Sequence, residues 1–275
     1  MAKAILVTGA QGMLGSEAVR AAPPTVRAIP TTRADCDLAE EEHVELLFER
    51  TKPQGVLHCA GFTAVDRAEV AEEAAFADNV EATRSVAAAA RRRGIPMLLV
   101  STDYVFDGAS RRAYREDDPP RPLNVYGRTK LEAEQAAQDA IIVRSSWLYG
   151  PRGRHFVGAI LDQAKKPEIR VVNDQRGCPT STLELAPVLW EILERGIPGV
   201  YHAACEGSCT WHEFALAILE SRGPGGPKVA PCTTAEFPRP AKRPAMSALD
   251  CSKLAAIRGK RLPHWRDALR RFLVT

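Results

Sequence analysis

The feature that most constrains the fold is a regular alternation of short apolar runs and helical patterns over residues 1–150. Uninterrupted apolar runs bounded by glycine or polar residues are typical of strands buried on both faces of a parallel sheet. The alternation with helices predicts an α/β fold, a Rossmann-like doubly wound parallel sheet. The predicted strands, the third written with its turn, are 4–7, 26–30, 55–61, 95–100 and 140–144.

A glycine-rich turn follows the first predicted strand at once. Gly9, Gly12 and Gly15 are spaced three apart, and a helical pattern continues from Ser16 until Pro23 stops it. Such a turn at a helix N-terminus suits a pyrophosphate, because Gly9 permits the tight turn, Gly12 the close approach and Gly15 close helix packing. A tight turn without a ligand is the alternative.

The end of the second predicted strand bears on the choice of dinucleotide. An acidic residue there suits the ribose 2′-hydroxyl of NAD, whereas an arginine suits the 2′-phosphate of NADP. The strand ends in Thr31-Thr32-Arg33, and the acids Asp35 and Asp37 come later. We therefore expect NADPH to be used at least as well as NADH, with Arg33 at the 2′-phosphate; a solvated loop arginine is the alternative.

A hydroxyl, a phenol and an ammonium are predicted to meet near the end of the fourth strand. Thr102 and Asp103 follow this strand, and ligands of parallel sheets bind beyond the carboxyl ends of strands. Tyr126 and Lys130, four residues apart in a helical pattern, point the same way. We expect Lys130 to lower the pKa of the phenol, and Thr102 to hold a carbonyl oxygen as negative charge grows on it. This arrangement suits carbonyl reduction.

Longer helices are predicted at 39–52 and 72–93, between the strands. The small residues Ala60 and Gly61 let the backbone approach a flat ligand such as a nucleotide.

The alternation loosens beyond Gly150, where short helices and a strand near 200 are mixed with segments rich in proline and glycine. We predict a dinucleotide-binding domain over 1–150, rejoined by parts of 175–203. The remaining chain, 151–275, is expected to form mainly a smaller C-terminal substrate-binding lobe.

Composition excludes several classes of partner. The chain has 275 residues, 45% of them hydrophobic and 26% charged, with a formal net charge of +3 and scattered basic residues, so we expect no nucleic-acid binding. No apolar run approaches the ~20 residues that span a bilayer, and no signal-peptide pattern appears, which predicts a cytoplasmic protein without membrane contact. Seven cysteines, an odd number, favour reduced thiols.

One cluster of possible zinc ligands was weighed against a structural role. His202, Cys205, Cys209 and His212 fall within a short segment. The two histidines are predicted to lie on a strand and on a helix that starts with a capping box at Thr210, so nothing makes them converge. No metal site is predicted.

Several motifs together resemble the extended short-chain dehydrogenase/reductase family, and within it the group of dTDP-4-dehydrorhamnose reductases. The resemblance runs almost end to end, and several motifs are typical of the group rather than of the whole family. The segments that carry it are 63–66, 101–108, 122–132, 146–150, 174–180 and 199–204.

The resemblance implies NADPH- or NADH-dependent reduction of the 4-keto group of dTDP-4-dehydro-L-rhamnose. Tyr126 would donate the proton, and Lys130 would bind the nicotinamide ribose. Thr102, Asp103, Val65, Arg67 and Trp147 would contact the nucleotide-sugar substrate, although core packing is an alternative role for Trp147. The residues expected to contact the cofactor are Gly9, Gln11, Gly12, Met13, Leu14, Gly15, Arg33, Asp37, Leu38, Cys59, Ala60, Gly61, Tyr126 and Lys130.

Two departures from the family pattern leave the identity of the sugar open. Arg67 stands where lysine is common, and Met246 where asparagine is usual. A reductase of another 4-keto-6-deoxy nucleotide sugar is therefore one alternative, and a non-catalytic nucleotide-binding regulatory subunit of the same fold is another. A homodimer is left open. Some members of the family hold Mg²⁺ between subunits, but no carboxylate cluster in this sequence predicts it.

Overall fold

The structure, a computed structural model, describes residues 2–221, 223 and 225–274. Its strands are β1 Lys3–Thr8, β2 Val26–Thr31, β3 Val56–His58, β4 Met97–Thr102, β5 Ile141–Ser145, β6 Leu148–Tyr149, β7 Glu168–Val172, β8 Arg176–Gly177, β9 Thr180–Ser181, β10 Gly199–His202, β11 Cys209–Thr210 and β12 Lys228–Cys232. Its α-helices are α1 Met13–Arg20, α2 Glu41–Thr51, α3 Val65–Ala68, α4 Glu72–Phe76, α5 Ala82–Arg92, α6 Val125–Ala136, α7 Phe156–Asp162, α8 Thr182–Arg195, α9 Trp211–Glu220, α10 Ser252–Arg258 and α11 Trp265–Leu273.

The central element is a parallel sheet with strand order β10-β5-β4-β3-β1-β2, six strands within the described residues. The chain passes from β1 to β2 on one side and continues with β3 on the other, so the strand order reverses between β1 and β3. A crevice forms at the carboxyl ends of the strands where the order reverses, and ligands of doubly wound sheets bind there. The predicted α/β class with a Rossmann-like parallel sheet is confirmed.

Both faces of the sheet are buried because neighbouring strand residues point to opposite sides. Val7 and Leu98 pack on one face, in a cluster that includes residues of α1 and α8. Leu6 and Leu99, each adjacent in sequence to one of these, pack on the other face against α2, α5 and α6. Each uninterrupted apolar run therefore packs against helices on both faces of the sheet.

The later part of the chain packs beside the sheet and partly returns to it. Short strands pair as β6 with β9, β7 with β12 and β8 with β11, whereas β10 adds an edge to the large sheet beside β5. Helix α8 lies against α1, where Trp190 Nε1 donates to the Ala18 carbonyl at 2.9 Å. The division at residue 150 stays a prediction. Among the described residues, no helix is both long and apolar enough to traverse a bilayer.

Two predicted helices differ from the observed ones. The helix predicted at 39–52 is shorter, since α2 ends at Thr51 and Lys52 adopts a left-handed conformation with φ 44°. The helix predicted at 72–93 is interrupted by a π-helical turn at Ala77–Glu81. Asn79, in this turn, accepts from the Phe62 N–H at 2.9 Å and donates to Thr129 at 2.9 Å. Such wider turns occur often at functional sites, and this one faces the crevice.

Candidate active site

A cavity of about 600 Å³ opens at the carboxyl ends of β1, β3, β4 and β5. Every residue predicted to contact the cofactor lines it, and so do the predicted substrate residues Val65, Thr102, Asp103 and Trp147. Arg67 does not line it, and its contact with the substrate stays a prediction. Its guanidinium lies over the Phe62 ring, 5.7 Å from the centroid, in a cation–π contact.

The glycine turn forms one wall of the cavity. Gly9 has φ +65°, and a Cβ at Gly15 would lie 2.2 Å from the Gly9 carbonyl oxygen, so both positions require glycine for the helix to approach the strand. Helix α1 starts without a side-chain cap at Gly12, and its first N–H groups are free to bind an anion. The turn therefore fits the pyrophosphate of a dinucleotide.

The opposite end of the cavity carries an ion pair that the sequence did not indicate. Arg33 and Asp78 approach to 2.9 Å, and the Arg33 side chain is 71% exposed. Both residues line the cavity near Asp37 and Leu38. Asp78 lies on the π-helical turn, far from Arg33 in sequence, so no local pattern could have revealed the pair.

Helix α6 is docked closely enough to bring Tyr126 and Lys130 to the end of β4. The Asn124 side chain caps it by accepting from the Gly127 N–H at 2.7 Å. A Cβ at Gly127 would lie 2.1 Å from the Tyr104 carbonyl oxygen, so glycine is needed there. The predicted neighbours on one helical face thus reach a common cavity.

Thr102 is the hydrogen-bonding centre of this end of the cavity. Its hydroxyl donates to Asp103 Oδ1 at 3.2 Å and accepts from the Tyr104 N–H at 3.2 Å, and it lies near enough to the Tyr126 phenol to lower the pKa of that group. Lys130 is buried nearby and donates from Nζ to the Val100 carbonyl at 2.7 Å. The phenol, the hydroxyl and the ammonium therefore line one site.

Burial governs the pKa values of the phenol and of the ammonium. It raises the pKa of Tyr126 to about 12, opposed by the hydrogen bond from Thr102, and the expected lowering of this pKa by Lys130 stays a prediction. Burial also lowers the pKa of Lys130 to about 8, opposed by the charge of Glu134. The phenol stays protonated at neutral pH, which a proton donor requires.

Two buried side-chain oxygen atoms in the cavity lack hydrogen-bond partners among the described residues. Asp103 is 2% exposed, its Oδ2 is unpaired, and burial raises its pKa to about 7, opposed by a hydrogen bond from Ser247. The Ser145 hydroxyl, opposite Thr102 in the sheet, is also buried and unpaired. Buried polar groups normally find a partner, so both are available to a ligand. The sequence interpretation missed Ser145 and Ser247.

An aromatic stack closes the cavity at Trp147. The ring lies parallel to that of Trp211, with centroids 3.4 Å apart and an interplanar angle of 3°. Both residues line the cavity. Trp211 was interpreted only as part of a helix start, and its capping box is present between Thr210 and Glu213.

The four residues weighed as zinc ligands have separate environments. His202 Nδ1 contacts the Tyr114 carbonyl at 3.1 Å, whereas His212 Nε2 contacts the Val229 carbonyl at 3.1 Å. Cys205 and Cys209 are buried, and burial raises the pKa of each thiol. Within the part of the chain that the structure describes, no group of three or more potential metal ligands assembles.

Comparison with known families gives a match over nearly the whole chain. The model described as the RmlD substrate binding domain matches residues 3–275. A dTDP-4-dehydrorhamnose reductase of Sinorhizobium fredii is 36% identical, over 98% of this chain and 96% of the relative. A probable dTDP-4,6-dihydroxy-2-methyloxan-3-one 4-ketoreductase of Streptomyces antibioticus is 39% identical, over 96% of this chain and 92% of the relative.

Solved structures agree with the sequence comparisons. The crystal structure of dTDP-4-dehydrorhamnose reductase from Bacillus anthracis in complex with NADP superposes with a TM-score of 0.96. It is 33% identical and covers 100% of this chain and 99% of that chain.

Proposed function

Because the chain belongs to the RmlD family of dTDP-4-dehydrorhamnose reductases, we propose that it reduces the 4-keto group of dTDP-4-dehydro-L-rhamnose to give dTDP-L-rhamnose. As a member of this family it is an NAD(P)H-dependent reductase. The observation that carries the proposal is the convergence of Thr102, Tyr126 and Lys130 in the cavity that also contains the glycine turn.

The chain's own residues account for the proton and for the developing charge. A bound reduced dinucleotide supplies the hydride. Tyr126, held protonated by burial, gives its hydroxyl proton to the carbonyl oxygen as negative charge grows on it. The Thr102 hydroxyl lies beside the phenol, where it can hold the same oxygen. Lys130 places a positive charge in the buried site and, in this proposal, binds the nicotinamide ribose.

The lining of the cavity supports binding of both ligands in this proposal. Gly12, Met13 and Leu14 would hold the pyrophosphate, while Ala60 and Gly61 would line the adenosine side. Asp103 would accept a hydrogen bond from a sugar hydroxyl through its unpaired oxygen.

Turnover with a panel of dTDP- and GDP-linked 4-keto-6-deoxy sugars tests the substrate. We expect NADPH oxidation to be fastest with dTDP-4-dehydro-L-rhamnose, and the product to be dTDP-L-rhamnose. The Streptomyces antibioticus relative is named for a different sugar, so preference for another dTDP-keto sugar would support the second candidate. No turnover with any keto sugar would overturn the reductase proposal.

Replacing Arg33 with alanine is expected to raise the KM for NADPH by roughly ten-fold and to leave the KM for NADH unchanged. The guanidinium is exposed at the adenosine end and would meet the 2′-phosphate, which only NADPH carries. Initial rates with each cofactor measure the effect. Asp78→Asn is the matched control, because it removes the competing carboxylate and should lower the KM for NADPH. A strong NADH preference that Arg33→Ala leaves unaltered would contradict the assignment.

We expect kcat/KM for the keto sugar to fall as the pH rises through about 8. The pKa of Lys130 is lowered from 10.5 to about 8, so the ammonium is present below that pH and lost above it. Rates across a pH series, with the melting temperature followed at each pH, measure this. An active Lys130→Arg variant keeps its positive charge at higher pH, so its kcat/KM should begin to fall at a higher pH than that of wild type. If kcat/KM of that variant falls at the same pH as that of wild type, the titrating group is not Lys130.

A further inference from the structure

The Trp147–Trp211 stack joins two parts of the chain at the mouth of the cavity. Trp147 follows β5 of the large sheet, and Trp211 is the first residue of α9. Their centroid distance of 3.4 Å and interplanar angle of 3° correspond to nearly full face-to-face overlap. Aromatic pairs in cores prefer offset or edge-to-face arrangements, so this geometry must be imposed by the surroundings.

The surroundings of Trp147 leave its ring dependent on the stack. Its backbone has φ +48°, a left-handed conformation that a bulky residue rarely adopts. A Cβ at Gly177 would lie 2.3 Å from Cε2 of the indole, so the edge of the ring occupies space that only glycine leaves free. Among the described residues, its indole N–H has no hydrogen-bond partner, and the stack on Trp211 is the aromatic contact that its ring makes.

Trp211, in contrast, is fixed independently of Trp147. Its indole N–H donates to Gln175 Oε1 at 3.2 Å, and its ring also contacts those of Phe156 and Phe214, with centroids 4.5 and 6.5 Å away. The capping box between Thr210 and Glu213 anchors the backbone from which it projects. The Trp211 ring, held by these contacts, thus supports the ring of Trp147, whose backbone is strained.

We propose that Trp211 is a positioning residue that sets the plane of the Trp147 indole against the sugar ring of the substrate. The inference rests on the proposed function, because it takes the sugar to lie beside Trp147 in the cavity. Stacking on an indole favours the apolar face of a deoxysugar. Trp211 therefore tunes affinity for the keto sugar while leaving the proton and hydride steps to other groups.

Kinetics of Trp211→Ala and Trp211→Phe test the proposal. We expect Trp211→Ala to raise the KM for the keto sugar by roughly ten-fold, with the KM for NADPH unchanged and kcat altered less. Trp211→Phe restores part of the stack and should recover part of the affinity. Phe156→Leu is the control for packing around Trp211, because Phe156 does not line the cavity, and it should leave the sugar KM near that of wild type.

Circular dichroism shows whether the stack forms in solution, and the split between the KM for the sugar and the KM for NADPH separates positioning from a merely structural role. Two stacked indoles couple their transitions, so wild type should show an exciton couplet that Trp211→Ala loses and Phe156→Leu keeps. Turnover by wild type with an unchanged sugar KM in Trp211→Ala would overturn this inference alone, as would equal changes in both KM values. Absence of turnover by wild type with every keto sugar would overturn the proposed function and this inference together.

Discussion

Replacement of Tyr126 by phenylalanine is expected to lower kcat for keto-sugar reduction by roughly 10²- to 10⁴-fold, the usual contribution of a positioned proton donor. The change removes the hydroxyl next to Thr102 and keeps the ring, which contacts Tyr104 edge-on at 5.8 Å. Cofactor affinity should therefore remain near that of wild type. The loss of NADPH absorbance measures turnover, and fluorescence titration measures cofactor binding.

Tyr149→Phe is a matched control for this substitution. The Tyr149 hydroxyl is buried, has no hydrogen-bond partner among the described residues and lies outside the cavity lining. Its removal should leave kcat unchanged, because no polar partner loses a bond. Equal activity of Tyr126→Phe and wild type would assign the proton to another group. Asp103 would then be the first residue to test, since the pKa of its carboxyl is raised to about 7 by burial.

Replacement of Arg144 by methionine is expected to lower the free energy of unfolding by about 3–5 kcal/mol, because it leaves a buried carboxylate unpaired. Arg144 donates to Glu134 through Nε at 2.9 Å and Nη2 at 2.6 Å, and the two side chains are 4% and 5% exposed. Ser101 donates to the same carboxylate. Urea unfolding followed by fluorescence measures the change.

A double substitution separates loss of the pair from burial of a lone charge. Arg144→Met combined with Glu134→Met removes both charges and should recover much of the stability lost in Arg144→Met. Arg170→Met breaks an ion pair whose side chains are about half exposed, and its effect should be much smaller. A double variant no more stable than Arg144→Met would show that packing, rather than the unpaired charge, causes the loss.

Much of the proposed reaction centre was accessible to reasoning from the sequence because its geometry is local or follows from the sheet. Tyr126 and Lys130 are one helical turn apart, and Thr102 ends a buried strand whose carboxyl end must face the same edge as the glycine turn. The helical break at Ala77–Glu81 was not predictable, because Asn79 is held by residues distant in sequence. The contact of Arg67 with Phe62 was not predictable for a related reason, since it depends on the path of a loop.

By itself, the sequence determined the α/β class, the glycine turn and the set of residues at the strand ends. The spacing of apolar residues and the direction in which each strand runs can be read from consecutive residues. The tertiary structure alone decided which distant side chains meet, among them Arg33 with Asp78, Glu134 with Arg144 and Trp147 with Trp211. It also decided the protonation of the site. Burial is a property of the packed molecule, and it raises the pKa of Tyr126 and lowers the pKa of Lys130.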